Sequence, residues 1–176
     1  MKATGVVRRI DDLGRIVIPK ELRRNLRIRE GDSIEIYIDG TNSIILKKYS
    51  PIENISSFIH QLSEAIYQTT KKSIIITDCE RILASNGNFK KDIVGKKIDL
   101  RLDERIQKKV IQTFDKGESL EICDNLVLNE ASILKPITVY GDVIGCVIIA
   151  CNNYVGDVEK SLAESSASFI GKYLEN

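Results

Sequence analysis

The stretch that decides the fold is residues 1–26, which read MKATGVVRRIDDLGRIVIPKELRRNL. Apolar and charged residues alternate over 2–10 and 15–18, and this pattern predicts two short strands. The turn signal DDLG at 11–14 separates them, and Pro19 ends the second strand. Because Pro19 also suits the first position of a helix, we expect a short helix over the rest of the stretch.

The next residues extend this module to about 50 residues. Residues 33–39 alternate Ile with polar side chains, which predicts a half-buried strand. A hairpin-type turn and a returning strand at 44–48 follow, and the module ends near Tyr49. About 50 residues of short strands bury too little surface to be stable alone. We therefore expect residues 1–50 to form a domain that is an obligate dimer, with its core completed by a second chain.

Positive charge is concentrated in the same stretch. The whole chain has 26 Lys and Arg against 25 Asp and Glu, but residues 1–29 hold nine bases and three acids. The basic residues spread over its strands, turn and helix are Lys2, Arg8, Arg9, Arg15, Lys20, Arg23 and Arg24. Doubled by a two-fold partner, they would form a broad positive surface that matches the phosphates of double-stranded DNA. A solvated charged face, or a surface for an acidic protein, is the alternative interpretation at this point.

Residues 51–176 are expected to form a second domain, of α+β class. After a helix that begins at 51, the patterns predict strands at 73–77 and 82–85, a helix at 102–115, strands at 119–123, 133–140 and 143–151, and a last helix at 156–174. This order predicts one antiparallel sheet with helices on its faces. In the last helix the large apolar residues Val158, Leu162, Phe169 and Tyr173 share one side, and its middle holds small residues that permit close packing.

The first helix of this domain is predicted from a capping pattern. Ser50 suits the N-cap, Pro51 the first helical position, and Glu53 the capping box. Apolar residues then recur at spacings of three and four, at Ile52, Ile55, Ile59, Leu62 and Ile66. Such a stripe fits packing on the helix's own domain as well as a bundle between subunits, and two heptads do not decide between them.

The sequence offers no catalytic or metal site. Gly95-Lys96 lacks the earlier glycine and the following Ser or Thr of a phosphate-binding loop. His60 is the only histidine, and the adjoining Asp103 and Glu104 suit a helix start. The cysteines contain no C-x-x-C pair and fit buried reduced thiols; they are Cys79, Cys123, Cys146 and Cys151. We therefore expect neither an enzyme nor a resident cofactor or metal.

Targeting signals are also missing from the sequence. No apolar run approaches the roughly 20 residues that span a bilayer. The N-terminus lacks the apolar region of a signal peptide, and the cysteine pattern suits a reducing compartment. We expect a cytoplasmic protein with no membrane segment.

The opening stretch resembles, residue by residue, the AbrB-type swapped-hairpin DNA-binding domain of transition-state regulators. The likeness continues through IREGD at 28–32 and IILKKY at 44–49. It implies a β-barrel in which two chains exchange hairpins. In that family the DNA-contacting arginines fall on the positions of Arg8, Arg15, Arg23 and Arg24, and weaker candidates are Lys2, Arg9 and Lys20.

The whole chain resembles transcription factors of endospore formation, in which such a domain precedes a GAF domain. This implies sequence- or shape-selective DNA binding that activates and represses late, forespore-stage genes. It further implies that residues 51–176 form a GAF-like domain through which the protein assembles into a homotetramer. The same domain is expected to sense an unidentified small effector over residues 86–116. We nominate no ligand residue there. Antitoxin-type members of the fold carry a short toxin-binding tail instead. An antitoxin is therefore disfavoured, and an antitoxin-like or other protein-binding module, whose basic head recognises an acidic protein, is kept as the alternative.

Overall fold

The computed structural model describes residues 5–89 and 93–175 of the chain. The chain divides into two compact units, residues 1–49 and 50–176, which we call the head and the body. Each unit is described by itself.

The head contains one short helix and one β-hairpin. In chain order these elements are α1 (Lys20–Asn25), β1 (Ile34–Ile38) and β2 (Ile44–Lys48). The two strands pair antiparallel, with Ile36 opposite Leu46. The helix and hairpin lie where the sequence predicts them.

The segment before α1 has a turn but no ladder. The backbone N–H of Asp11 donates to the carbonyl of Arg15 at 3.0 Å, and Gly14 adopts a φ of 75° that suits glycine. The strands predicted at 2–10 and 15–18 do not form among the described residues of the single chain. That prediction is wrong for one chain, because the segment joins neither free edge of the head's two-stranded hairpin.

The head has no buried core of its own. Within residues 5–49 no residue is buried, although the segment is rich in large apolar side chains. Those that are exposed are Val6, Val7, Ile10, Leu13, Ile16, Val17, Leu26, Ile36, Tyr37, Ile38, Ile44, Leu46 and Tyr49. Since folding is driven mainly by removing apolar surface from water, this head is incomplete as a single chain.

The body is built on an antiparallel sheet. Its strands in chain order are β3 (Ser73–Asp78), β4 (Ile82–Asn86), β5 (Gln112–Phe114), β6 (Leu120–Cys123), β7 (Leu126–Leu128), β8 (Ala131–Val139) and β9 (Asp142–Cys151). Five of them form one sheet in the order β4-β3-β9-β8-β5, and β6 pairs with β7 in a separate hairpin. The predicted α+β class is confirmed by this architecture.

The helices of the body are a 3-10 turn and three α-helices. They span Pro51–Ile55 (3-10), Ser56–Thr70 (α2), Leu100–Ile106 (α3) and Asp157–Glu175 (α4). Ser50 makes no side-chain cap, and its hydroxyl donates instead to Asp78. The capping-box prediction is therefore wrong, and the first turn is 3-10. No helix of the described residues is long and apolar enough to cross a membrane.

The helix predicted at 102–115 is shorter than expected. It starts at Leu100, ends at Ile106, and is followed by a turn in which Lys109 has a φ of 61°. The β-branched run Val110-Ile111 leads into β5, which pairs with β8 at the sheet edge. Tertiary pairing with β8 thus outweighs the helical pattern of this segment.

Two apolar clusters cover the two faces of the sheet. Alternate residues of β9 separate them, because Val147 and Ile149 face one side and Cys146 and Ile148 the other. The first side packs against α2 and α4, and the second against α3 and the β6–β7 hairpin. The stripe of α2 is buried at Ile52, Ile59 and Ile66 against the sheet of its own domain.

The last helix packs on the sheet with small residues, together with Ile170, which is fully buried, and Leu162, which is partly buried. Its buried residues include Ala163, Ala167 and Gly171, and a Cβ at position 171 would lie 2.6 Å from the carbonyl oxygen of Thr138. Close approach to β8 thus depends on small residues, as the sequence predicts. The large side chains Val158, Phe169 and Tyr173 remain exposed.

Candidate nucleic-acid interface

The predicted site residues lie on separate elements of the head. Arg8 and Arg9 precede the turn at 11–14, Arg15 follows it, and Lys20, Arg23 and Arg24 lie on α1. Arg23 is half-buried and the other five are exposed. Lys2 lies outside the described residues. The single chain therefore presents these bases to solvent without gathering them into one cluster.

Arg15 is the base with the most closely defined position. Its Nε lies 2.8 Å from Oδ2 of Asp11, and its backbone N–H donates to Oδ1 of the same carboxylate at 2.8 Å. These hydrogen bonds hold the pKa of Asp11 below its usual value. Because only Nε is used, the two terminal nitrogens of Arg15 have no hydrogen bond among the described residues. They remain available to an oxyanion such as a phosphate.

Arg23 and Arg24 lie in the last turn of a six-residue helix. The helix ends in a tight turn in which Arg27 has a φ of 55° and the N–H of Ile28 donates to the carbonyl of Arg23 at 2.7 Å. Positive side chains are favoured there because the unpaired carbonyls carry partial negative charge. The turn thus fixes the backbone that carries two neighbouring bases.

Three carboxylates of the head accept hydrogen bonds from residues near them in the chain. They do not contact the terminal nitrogens of the predicted site residues that the structure describes. Besides Asp11, Asp32 accepts from the backbone N–H of Arg29 at 2.7 Å and from Nζ of Lys48 at 2.8 Å. Asp39 accepts from Thr41 and Ser43 in the hairpin turn, and these bonds hold its pKa below its usual value. These three acids therefore stabilise turns, and the surface around the basic residues stays positively charged.

The body carries an open cleft, and four of its six lining residues fall within residues 86–116, where the family resemblance implies effector sensing. Its volume is about 480 Å³, and its walls are formed by Arg105, Gln112, Thr113, Phe114, Glu118 and Ser119. The helix predicted through residue 115 did not indicate the shape of this cleft, because it placed Phe114 in a helix instead of an edge strand. No sequence pattern marks a residue at the end of one helix and residues of the following strand as one site.

The described residues show no constellation for catalysis or metal binding. They contain no cluster of three or more His, Cys, Asp or Glu suited to a metal ion. Burial raises the pKa of the Cys146 thiol to about 12, so this thiol is not a nucleophile at neutral pH. All four cysteines are free of disulfides.

Comparison with known families assigns both units. Residues 54–175 match the family "Stage V sporulation protein T C-terminal, transcription factor". Residues 7–54 match "Antidote-toxin recognition MazE, bacterial antitoxin". The two matches meet close to the boundary between head and body.

Individual relatives agree with these matches. Stage V sporulation protein T of Bacillus subtilis is 40% identical over 177 residues, which cover 99% of both chains. The N-terminal DNA recognition domain of the Bacillus subtilis regulator AbrB is 63% identical and covers 29% of this chain and 94% of its own, with a TM-score of 0.26. A type II free methionine-R-sulfoxide reductase from Thermoplasma acidophilum has a TM-score of 0.52 at 11% identity, covering 70% of this chain and 94% of its own; this likeness concerns the fold alone.

The family assignment follows from the extent of these matches. One family description covers most of the body, and one relative aligns along nearly the whole chain. The head is similar in sequence to the DNA recognition domain of AbrB. The chain therefore belongs to the stage V sporulation protein T family, which consists of sporulation transcription factors and not of enzymes.

Proposed function

We propose that the protein binds double-stranded DNA through its head, residues 1–50, and regulates late, forespore-stage sporulation genes in the cytoplasm, activating some and repressing others. The observation that carries this proposal is the exposed set of bases on a head in which three of the seven acids, Asp11, Asp32 and Asp39, are engaged in turns. The head's 63% identity to the DNA recognition domain of AbrB supports it.

The DNA-binding unit in this proposal is a dimer of heads. A second chain would supply the strand partners that residues 5–18 lack and would cover the exposed apolar side chains of the head. An exchange of hairpins between the two chains achieves both, because the added ladder hydrogen bonds accompany burial of the apolar faces. The head would then be a closed barrel with two copies of every base.

Arg8, Arg15, Arg23 and Arg24 are the proposed DNA contacts, with Lys2, Arg9 and Lys20 in supporting positions. Arginine suits phosphate oxygens and guanine edges because its planar group donates two parallel hydrogen bonds. Phosphate contacts set the register on the duplex, and the shape of the groove adds selectivity.

The body, residues 51–176, is proposed to pair with a second body and so join two head dimers into a homotetramer. An aromatic patch formed by Phe58, Phe169 and Tyr173 supports this. The rings of Phe58 and Tyr173 stack at 4.6 Å, while Phe169 and Tyr173 are 53% and 50% exposed. Such a patch is stabilised by burial against an identical patch around a two-fold axis.

A protein-binding head is the second candidate. The match of residues 7–54 to an antitoxin family is the observation that favours it. In that case the bases would meet an acidic protein, and the head would have little affinity for a duplex.

The test is fluorescence anisotropy of labelled promoter and random duplexes titrated with the full-length protein. The Arg23→Ala/Arg24→Ala variant should lose binding while keeping its fold by circular dichroism. Lys108→Ala, which removes an exposed base of the body, is the matched control and should bind as the wild type. Absence of wild-type binding even at low salt would overturn the proposal and favour the protein-binding head.

A further inference from the structure

The open cleft at the edge strand β5 has the composition of a binding site. We infer that it binds a small organic anion that carries one carboxylate or similar oxyanion on a flat apolar group. The inference goes beyond the proposed function, and the binding itself stands on the contacts of the cleft.

Arg105 is the cation of the cleft. Its guanidinium lies 4.8 Å from the ring centroid of Phe114, which fixes the plane of the group. The side chain is half-buried and has no hydrogen bond or ion pair among the described residues, since the contact from Gln112 Nε2 at 2.9 Å is to the backbone carbonyl of Arg105. A half-buried guanidinium with its donors unused is suited to a bidentate oxyanion.

A second arginine on the same helix is hydrogen-bonded to a carboxylate and serves as a comparison. Arg101, one turn earlier on α3, donates from Nη1 to Oε1 of Glu121 at 2.7 Å. The pKa of Glu121 is held below its usual value by its own backbone N–H and by this arginine. Arg101 thus makes a direct ion pair with Glu121, whereas Arg105 makes no ion pair among the described residues and acts on Glu121 only at longer range.

The remaining walls define the class of ligand. Thr113 and Ser119 offer hydroxyls that have no hydrogen-bond partner among the described residues, and Phe114, which is 6% exposed, forms the inner wall and supports the Arg105 guanidinium. Glu118 also lines the cleft, and its carboxylate accepts from the backbone N–H of Asp115 at 2.7 Å. Because a fixed negative charge lies in the wall, a ligand with a single anionic group is favoured over a polyanion.

A buried hydroxyl behind the Phe114 ring provides an independent observation. Ser132 of β8 lies directly opposite Phe114 in the β5–β8 ladder, so the two side chains share one face of the sheet. The Ser132 hydroxyl is buried and has no hydrogen-bond partner within the described residues. A buried hydroxyl without a partner is unfavourable, and a polar ligand atom that reached it would supply the missing hydrogen bond.

The experiment measures direct binding to the full-length protein without DNA. The probe is anthranilate, a fluorescent flat monocarboxylate, with benzoate, benzyl alcohol and ATP as competitors. We expect saturable binding of one probe per chain at millimolar concentration or below, displacement by benzoate, and little displacement by neutral benzyl alcohol or by ATP.

Variants identify the site. Arg105→Gln should weaken binding about tenfold or more, and Arg105→Lys, which keeps the charge but not the planar fork, should weaken it less. Ser132→Ala should weaken it several-fold without lowering stability. Arg101→Gln is the matched control on the same helix and should bind as the wild type.

Two results would overturn the inference. One is the absence of saturable binding by the folded wild type, and the other is an equal loss in Arg101→Gln and Arg105→Gln, which would indicate a general charge effect. Because DNA is absent from the assay, failure of the proposed DNA binding would not change the result for the ligand. Failure of ligand binding would likewise leave the proposed DNA binding unaffected.

Discussion

Ser50 and Asp78 are joined by a hydrogen bond in which the serine hydroxyl lies 3.2 Å from Oδ2 of the carboxylate. Ser50 is the first residue of the body, and Asp78 is the last residue of β3. The backbone N–H groups of Glu80 and Arg81 donate to Oδ1 of the same carboxylate. One buried side chain therefore fixes both the β3–β4 turn and the start of the chain that enters the body.

Asp78 should make the stability of the body fall as pH rises through the acid range. Burial raises the pKa of Asp78 above its unfolded value of 3.8, although its hydrogen bonds oppose this. The folded state then holds the proton more tightly than the unfolded state, so stability decreases from about pH 4 upward. Asp78→Asn keeps an acceptor for the turn but does not titrate, and should lack this decrease.

Urea unfolding of the two proteins at a series of pH values measures the difference. Glu104→Gln, which removes an exposed carboxylate, is the control and should follow the wild type. Parallel pH profiles for wild type and Asp78→Asn would contradict the assignment.

Glu159 should have the opposite pH dependence. Its carboxylate is 8% exposed and lies 2.7 Å from Nζ of Lys72, and that hydrogen bond lowers the pKa of Glu159 below 4.5. The stabilisation is present above pH 4.5 and is lost as pH falls through the lowered pKa. Glu159→Gln should cost about 1 kcal/mol at pH 7 and almost nothing in strong acid. A cost that does not vary with pH would show that the ion pair is not its source.

Gly171→Ala should destabilise the body although alanine favours helices. The new Cβ would lie 2.6 Å from the carbonyl oxygen of Thr138, which is backbone and has little freedom to move. Forcing α4 away from β8 should cost about 1–3 kcal/mol in chemical unfolding. Ser168→Ala, at an exposed position of the same helix, should be neutral or slightly stabilising. A stabilised Gly171→Ala protein would contradict the close approach.

Phe169→Glu should halve the mass of the assembly. If bodies pair through the aromatic patch, a charge at its exposed ring repels its symmetry-related copy and leaves head dimers intact. Light scattering after size-exclusion chromatography measures the mass. Val127→Glu, which changes an exposed apolar residue of β7 outside the patch, should keep the wild-type mass. Equal masses for all three proteins would contradict pairing through this patch.

Local patterns predicted most of the body's elements. The alternation and turn signals located β3, β4, β8 and β9 within a few residues, and small residues predicted the close packing of α4. The side of α4 that faces the sheet was not predicted: it combines small residues with Ile170, which is fully buried, whereas Val158, Phe169 and Tyr173 are exposed.

Other features depend on partners that a sequence pattern does not contain. β5 forms because residues 112–114 meet β8, and Ser50 stays at the N-cap position but its hydroxyl donates to the buried Asp78 instead of capping the helix. The site arginines could be nominated from charge and family resemblance, since exposed charge needs no packing. Arg105 could not, because its role depends on Phe114 lying beside it across a turn.

The salt dependence of DNA affinity tests the central claim, that a dimer of heads binds the duplex backbone through its arginines. The measurement is the slope of log affinity against log salt for wild type, Arg24→Ala and Arg101→Ala on one duplex. A phosphate contact present twice per dimer predicts that Arg24→Ala lowers the slope by about two, while Arg101→Ala, in the body, leaves it unchanged. Identical slopes for all three proteins, or no binding by the wild type at low salt, would contradict the claim.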